Sequence, residues 1–96
     1  MIKTVTISTD LRDCIEGLDY ERTARRDIIA FMLSNNMPMD TESFKKYQKE
    51  FVEYTAQFDI AKKEIERKFV PEELRNSKTS WSLDYKTGLI TITTKE

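Results

Sequence analysis

The strongest pattern in the sequence is a row of apolar side chains between residues 44 and 69 that recur alternately three and four positions apart. The row consists of Phe44, Tyr47, Phe51, Tyr54, Phe58, Ala61 and Ile65, and Phe69 extends it by one further turn. A repeat of about 3.5 residues is typical of a helix that packs along a second helix at a shallow angle. The pattern therefore predicts one long helix, ended before Pro71, that needs a long helical partner.

The predicted partner lies between residues 11 and 35, where a second helical pattern precedes a loop at residues 36–39. Thr9 or Asp10 is expected to cap this first helix, and Asp40 the second, because their side-chain oxygens can accept hydrogen bonds from the free amides of a first turn. The short loop requires the two helices to run antiparallel.

Gly17 leaves two alternatives open for the first helical segment. Glycine costs about 1 kcal/mol relative to alanine inside a helix, so two shorter helices hinged at Gly17 are one interpretation. We favour a continuous helix, because antiparallel pairing would set Gly17 and Ala24 against large aromatic rings and fill the interface densely. The same pairing places Phe31 opposite Phe44.

Alternating β-branched and polar residues predict one strand at residues 2–8 and a β-hairpin at residues 81–94. The hairpin register that sets the apolar residues on one face pairs Tyr85 with Ile90 and Leu83 with Ile92. Gly88 is expected to supply a positive φ in the loop.

Together these elements predict an α+β fold in β-α-α-β-β order, with a long antiparallel helical hairpin packed on a three-stranded antiparallel sheet. The 96 residues are expected to form a single domain, residues 1–96, since no linker or repeat interrupts them. Residues 71–74 are expected to add one short turn before a connecting segment at 76–78.

Composition and charge narrow the classes of function. Charged residues make up 34% of the chain, but the net charge is -1, so no global field attracts nucleic acid or an anionic membrane. No apolar run approaches the roughly 20 residues that span a bilayer. The single Cys14 indicates a reducing compartment. We therefore expect a cytoplasmic protein that does not bind a membrane.

The residues that most enzymes use for catalysis are scarce. The sequence contains no histidine and only two glycines, which excludes imidazole chemistry and glycine-rich phosphate loops. Cys14 lies on the predicted helix interface, where a small buried hydrophobic residue is expected. Acidic residues on the second helix mostly have basic neighbours at helical spacing, which is typical of a solvated face. We expect no enzymatic activity, no cofactor and no metal site.

A second apolar stripe on the long helix consists of Val52, Ala56 and Ile60, and it lies off the row that begins at Phe44. One neighbouring helix cannot bury both. Either the sheet covers this stripe, or it is an exposed surface that binds another chain, as contiguous apolar patches often do. These three residues are the candidate interaction site, and the expected partner is another protein or a homo-oligomer.

The densest basic cluster, which consists of Arg22, Arg25 and Arg26, is an alternative site. Guanidinium groups clustered on one helix can contact nucleic-acid phosphates. Antiparallel helices would, however, set the cluster near Glu50 and Glu53. Pairing with these carboxylates is the favoured interpretation, and nucleic acid is the alternative partner.

Two runs of sequence, K-K-E-I-E-R-K-F-V-P-E-E at residues 62–73 and W-S-L-D-Y-K-T-G-L-I-T-I-T at residues 81–93, resemble small uncharacterised proteins carried by phages and integrated elements of Gram-positive bacteria. The resemblance implies an accessory or virion-associated protein without enzymatic activity, located in the virion if a phage encodes it. It assigns no functional residue. The combined interpretation is a non-catalytic protein–protein interaction or assembly module.

Overall fold

The computed structural model describes residues 2–75 and 78–94. Its elements are β1 (Ile2–Thr6), α1 (Thr9–Ser34), α2 (Glu42–Phe69), a 3-10 turn (Glu72–Leu74), β2 (Thr79–Asp84) and β3 (Leu89–Thr94). The predicted α+β class and β-α-α-β-β order are confirmed, as is the short turn. The sheet is antiparallel and has the strand order β1-β3-β2. Residues 76 and 77 of the predicted connection lie outside the described part of the chain.

The chain divides into two compact units, and the division crosses both helices. The sheet unit joins the chain up to Glu16 with the chain from Ala61 onward, so it contains the three strands, the first turns of α1 and the last turns of α2. The helical unit is the segment Gly17–Ile60. That the two units form one domain stays a prediction.

In the sheet unit, the apolar face of the strands packs on the adjoining turns of the two helices. Its buried hydrophobic side chains are all β-branched: Ile7, Ile15, Ile65, Val70, Ile90 and Ile92. Along the central strand β3, the buried residues Ile90 and Ile92 alternate with half-buried Leu89 and Thr91. One face of the sheet therefore forms the core of this unit, as period-two patterning requires.

The hairpin register differs from the predicted one by two residues. Trp81 pairs with Ile92 and Leu83 with Ile90, whereas the sequence pattern predicts Leu83 opposite Ile92 and Tyr85 opposite Ile90. Tyr85 consequently lies in the loop rather than in a strand. A shift of two positions keeps every side chain on its own face, so the apolar pattern cannot distinguish the two registers.

Gly88 adopts the predicted positive φ, which is 71°. Its amide donates a hydrogen bond to the Asp84 carbonyl at 2.8 Å, and its carbonyl accepts one from the Ile7 amide at 2.9 Å. A Cβ atom at this position would lie 3.3 Å from the Ile7 carbonyl oxygen. The loop therefore requires glycine both for its backbone conformation and for the close approach of the chain at Ile7.

The residues that cap the two helices are neighbours of the predicted ones. Ser8, rather than Thr9 or Asp10, caps α1, because its side chain accepts a hydrogen bond from a first-turn amide at 3.2 Å. Thr41, rather than Asp40, caps α2 in the same way at 3.4 Å. Each cap lies in a run of polar residues that are all good caps, so composition alone does not select among them.

Two residues beyond the end of α1, Asn36 adopts a left-handed backbone with a φ of 56°. The Met37 amide donates to the Met32 carbonyl at 3.0 Å, and the Asn36 amide donates to the Leu33 carbonyl at 3.1 Å. This is the Schellman arrangement, in which asparagine is an accepted substitute for glycine. It satisfies two carbonyls at the helix end and turns the chain toward α2.

α1 runs unbroken through Gly17, so the continuous helix is confirmed and the hinge is wrong. The packing reason for continuity is wrong, however, because a Cβ atom at Gly17 would meet nothing within 4 Å. The predicted inward face is wrong as well. Phe31, expected opposite Phe44, is 69% exposed, whereas Phe44 is buried. Cys14, expected to be buried, is exposed.

A different row of side chains on α1 is turned away from solvent. Its members again lie alternately three and four positions apart. It consists of Leu11, Ile15, Leu18, Arg22, Arg25, Ile29 and Met32, all buried or half-buried. Because Arg22 and Arg25 stand in the middle of this row, apolar periodicity does not indicate it. On α2, by contrast, the predicted row is confirmed, since none of its eight residues is exposed.

Candidate interaction surfaces

The stripe predicted on α2 is exposed in the helical unit. With about 3.6 residues per helical turn, Val52, Ala56 and Ile60 lie on the side of α2 opposite its buried row. Val52 is 60% exposed and Ile60 is 63% exposed. These three residues are called the α2 stripe below.

A second exposed stripe lies on α1 and was missed by the sequence analysis. It consists of Tyr20, which is 70% exposed, Phe31 and the half-buried Ala24 between them. These residues, called the α1 stripe below, share one side of the helix because eleven positions complete about three turns. The apolar spacing around Ala24 and Phe31 is real, but it belongs to the outward side of α1.

α1 is rotated about its own axis relative to the prediction, because two of its arginines pack on aromatic rings of α2 in the helical unit. The guanidinium carbon of Arg22 lies 4.5 Å from the ring centre of Phe58, and that of Arg25 lies 4.9 Å from the ring centre of Tyr54. Such cation–π contacts contribute about 0.5 to 2 kcal/mol each, depending on how far solvent is excluded. The aliphatic stems of the arginines then fill positions that a hydrophobic residue would otherwise occupy.

Carboxylates complete the environment of Arg25. Its Nε donates to Glu50 of α2 at 3.2 Å, and its Nη1 pairs with Glu21 one turn earlier on α1. Burial lowers the pKa of Arg25, but the hydrogen bonds to Glu50 and Glu21 outweigh it and raise the pKa above its ordinary value. The contacts of this one guanidinium with Glu50 and the Tyr54 ring link α1 to α2.

The three arginines of the alternative nucleic-acid site do not form one basic surface. Arg22 donates to Asp19 at 2.5 Å, and Arg26 contacts Asp27 at 3.4 Å. Together with the Arg25 contacts, every guanidinium of the cluster meets a carboxylate. The predicted pairing with Glu50 is confirmed for Arg25, whereas Glu53 lies on the outward side near Val52. These contacts weigh against phosphate binding by the cluster.

The helical unit also has a cavity of about 330 Å³ near its loop. Its lining is mainly apolar and consists of Ile29, Leu33, Met39, Phe44 and Phe51, with Arg26 and Gln48 at the edge. Leu33 and Met39 are exposed. The cavity is large enough for one aliphatic or aromatic side chain, but it lacks a convergent set of polar groups for catalysis.

A cavity of about 540 Å³ in the sheet unit is bordered by Trp81, Glu66 and Arg75. The Trp81 indole donates to Glu66 at 3.4 Å. Arg75 donates to the Val70 carbonyl at 2.8 Å and to the Arg67 carbonyl at 2.7 Å, so it satisfies carbonyls at the end of α2. Trp81, Glu66 and Arg75 are thus engaged in structural hydrogen bonds.

The described residues contain neither a group of metal-ligating side chains nor a membrane-spanning helix. Within residues 2–75 and 78–94, no three cysteine, aspartate or glutamate side chains lie close enough together to hold a metal ion. In the same part of the chain, neither helix combines the length and the apolar character needed to cross a bilayer.

Comparisons with known proteins leave the surfaces as the only guide to function. No family model matches the chain, and searches of curated proteins and of solved structures found no match. The resemblance of residues 62–73 and 81–93 to phage and mobile-element proteins stays a prediction.

Proposed function

We propose that the protein is a non-catalytic protein–protein interaction or assembly module and that the α2 stripe is its contact surface. The observation that carries the proposal is the exposure of Val52, Ala56 and Ile60 on the outward side of a regular helix. Contiguous exposed apolar residues of this kind mark interaction sites. An accessory or virion-associated protein of a phage or mobile element would use such a surface.

The residue types in the stripe favour this role for an energetic reason. Valine and isoleucine lose side-chain freedom in a helix, so alanine, lysine or glutamate would serve a purely solvated face better. Full burial of a valine or isoleucine against a partner contributes about 1.5 to 3 kcal/mol. The two β-branched residues at exposed positions of α2 therefore stabilise a complex more than they stabilise the free chain.

The sheet offers a second route for association. Because β3 is the central strand, β1 and β2 are the outer strands of the sheet. Backbone amides and carbonyls along an outer strand can pair with a strand of another chain. Experiments on the α2 stripe must therefore distinguish a helix contact from strand pairing.

The test is photo-crosslinking in the cells that make the protein. A photo-reactive amino acid in place of Ala56 should give a covalent product with another protein chain. The same amino acid in place of Gln57, which is exposed on another side of α2, should not. Adding Val52→Asp and Ile60→Asp to the Ala56 variant should abolish the product.

Two results would contradict the proposed surface. Either no product from Ala56 or equal labelling from Ala56 and Gln57 would mean that the stripe is not a specific contact. A product that survives the double aspartate replacement would assign the contact to a strand edge instead.

A further inference from the structure

The two exposed stripes lie on opposite sides of the helical unit. The α1 stripe is on the side of α1 opposite Arg22 and Arg25, the arginines that pack on α2. The α2 stripe is likewise opposite the aromatic rings that receive those arginines. A single copy therefore presents one apolar stripe outward from each helix, and the two stripes cannot meet within that copy.

The contacts within one copy show which residues of α1 and α2 lie side by side. Their height below means the position along the shared direction of the two antiparallel helices. Arg25 contacts both Glu50 and Tyr54 and therefore lies between them along the helix direction, and Arg22 contacts Phe58 one turn beyond Tyr54. A second copy placed beside the first in the same orientation keeps these heights. Its α1 then faces the α2 of the first copy in the pairs Tyr20 with Ala56, Ala24 with Val52, Asp27 with Lys49, and Phe31 with Lys45.

Three of the four pairs are complementary in size or in charge, and in the fourth the ring of Phe31 can pack along the aliphatic stem of Lys45. The large Tyr20 meets the small Ala56, and the small Ala24 meets Val52, as dense packing requires. Asp27, whose side chain is 67% exposed, meets the exposed Lys49. An opposite-charge pair at this position favours the register in which Tyr20 meets Ala56 and Ala24 meets Val52.

We propose that the α1 stripe of one copy packs on the α2 stripe of the next, so that copies of this chain associate side by side. The inference rests on the proposed function and names its partner as a further copy of the same chain. The contact is heterologous, because two different surfaces meet. The copy at each end of a row of associated copies still has one free stripe. Further copies can therefore add until the row closes into a ring, or continue as a filament.

A closed two-fold contact of the α2 stripe with itself fits the charges less well. In an antiparallel arrangement with its axis at Ala56, Val52 of one copy would face Ile60 of the other, but Lys49 would face Lys63 one turn further along the helix. These like charges oppose the contact, whereas the heterologous arrangement brings Asp27 to Lys49.

Two double variants, each lacking one stripe, test the proposal by light scattering. Tyr20→Asp with Phe31→Asp removes the α1 stripe, and Val52→Asp with Ile60→Asp removes the α2 stripe. The average mass of the wild-type chain should rise with concentration above that of one chain. Each double variant alone should stay at the mass of one chain, and an equimolar mixture should form a one-to-one dimer through the two intact stripes.

Met39→Asp provides the matched control, because it makes the same kind of change at an exposed position in the loop between the helices. It should associate like the wild-type chain. Circular dichroism of all variants should show unchanged helix content. Asp27→Lys should weaken association at least about tenfold through repulsion from Lys49, and adding Lys49→Asp should restore it.

Three results would overturn the proposal: a wild-type chain that is monomeric at every concentration, a mixture of the two double variants that forms no dimer, or association that needs the α2 stripe but not the α1 stripe. The Ala56 crosslink keeps the proposed function separately testable. A product with a different protein would retain the interaction module and remove the self-contact, whereas no product would remove the module itself.

Discussion

The two glycines of the chain stand in opposite situations. Gly88 has a positive φ and lies so close to Ile7 that a Cβ atom would press on its carbonyl oxygen. Gly17 lies inside α1 with open space around its Cα. The first glycine is required by the fold, and the second only makes the helix less stable.

Alanine substitutions at the two glycines should therefore change the free energy of unfolding in opposite directions. Gly88→Ala should lower it by about 1 to 2 kcal/mol or more, the cost of left-handed backbone for a residue with a Cβ atom. Gly17→Ala should raise it by about 0.5 to 1 kcal/mol. Urea unfolding followed by circular dichroism measures both; equal effects of the same sign would contradict the assigned backbone conformations.

Individual residues also set the limit of what the sequence could predict about α1. Apolar spacing around Ala24 and Phe31 indicates a buried face, yet Arg22 and Arg25 occupy the side that contacts α2. A guanidinium over an aromatic ring replaces a hydrophobic contact, and no apolar pattern records that replacement. The sequence pattern therefore places Phe31 inside, although it is exposed, and does not predict the α1 stripe.

At the scale of whole elements, the sequence was a better guide. The row from Phe44 to Phe69 predicts both the length and the inward face of α2, because the same spacing sets both. The alternation in residues 81–94 predicts a hairpin and its apolar face, but not its register. Period two fixes the face only, and the register follows from backbone hydrogen bonds in the Asp84–Gly88 loop.

Two isoleucines on α2, one buried and one exposed, allow the same substitution to be compared at both positions. Ile65 is 0% exposed in the sheet unit, and Ile60 is largely exposed. Ile65→Ala should lower the free energy of unfolding by about 2 to 5 kcal/mol, as a cavity forms in a packed core. Ile60→Ala should change it by less than about 0.5 kcal/mol.

Thermal or urea unfolding in dilute solution, where association does not contribute, separates these two effects. A large loss from Ile60→Ala under those conditions would mean that the α2 stripe is packed within the single chain. That result would also remove the basis for the proposed contact surface.

At the scale of the molecule, buried side chains are unevenly shared between the two units. Among the described residues, the buried hydrophobic side chains of the helical unit are Met32 and Phe44, whereas the sheet unit has six. Local stability follows the density of buried apolar contacts. The helical unit should therefore open more readily than the sheet unit.

Hydrogen exchange followed by mass spectrometry tests this difference within one helix. Amides of α2 near Ile65 should exchange more slowly than amides near Val52, although both belong to the same continuous helix. Uniform protection along α2 would contradict the difference in local stability. At concentrations where copies associate, protection near Val52 should increase.

The pairing of β1 with β3 has a consequence for the order in which the chain folds during synthesis. Ile2 pairs with Thr93, so β1 pairs with a strand that is made long after it. At about 5 to 20 residues per second, the ribosome needs roughly 5 to 20 seconds to add the intervening chain. α1 and α2, whose contacts are closer in sequence, can pair during this interval. β1 meanwhile has no strand partner in the sheet until β3 emerges.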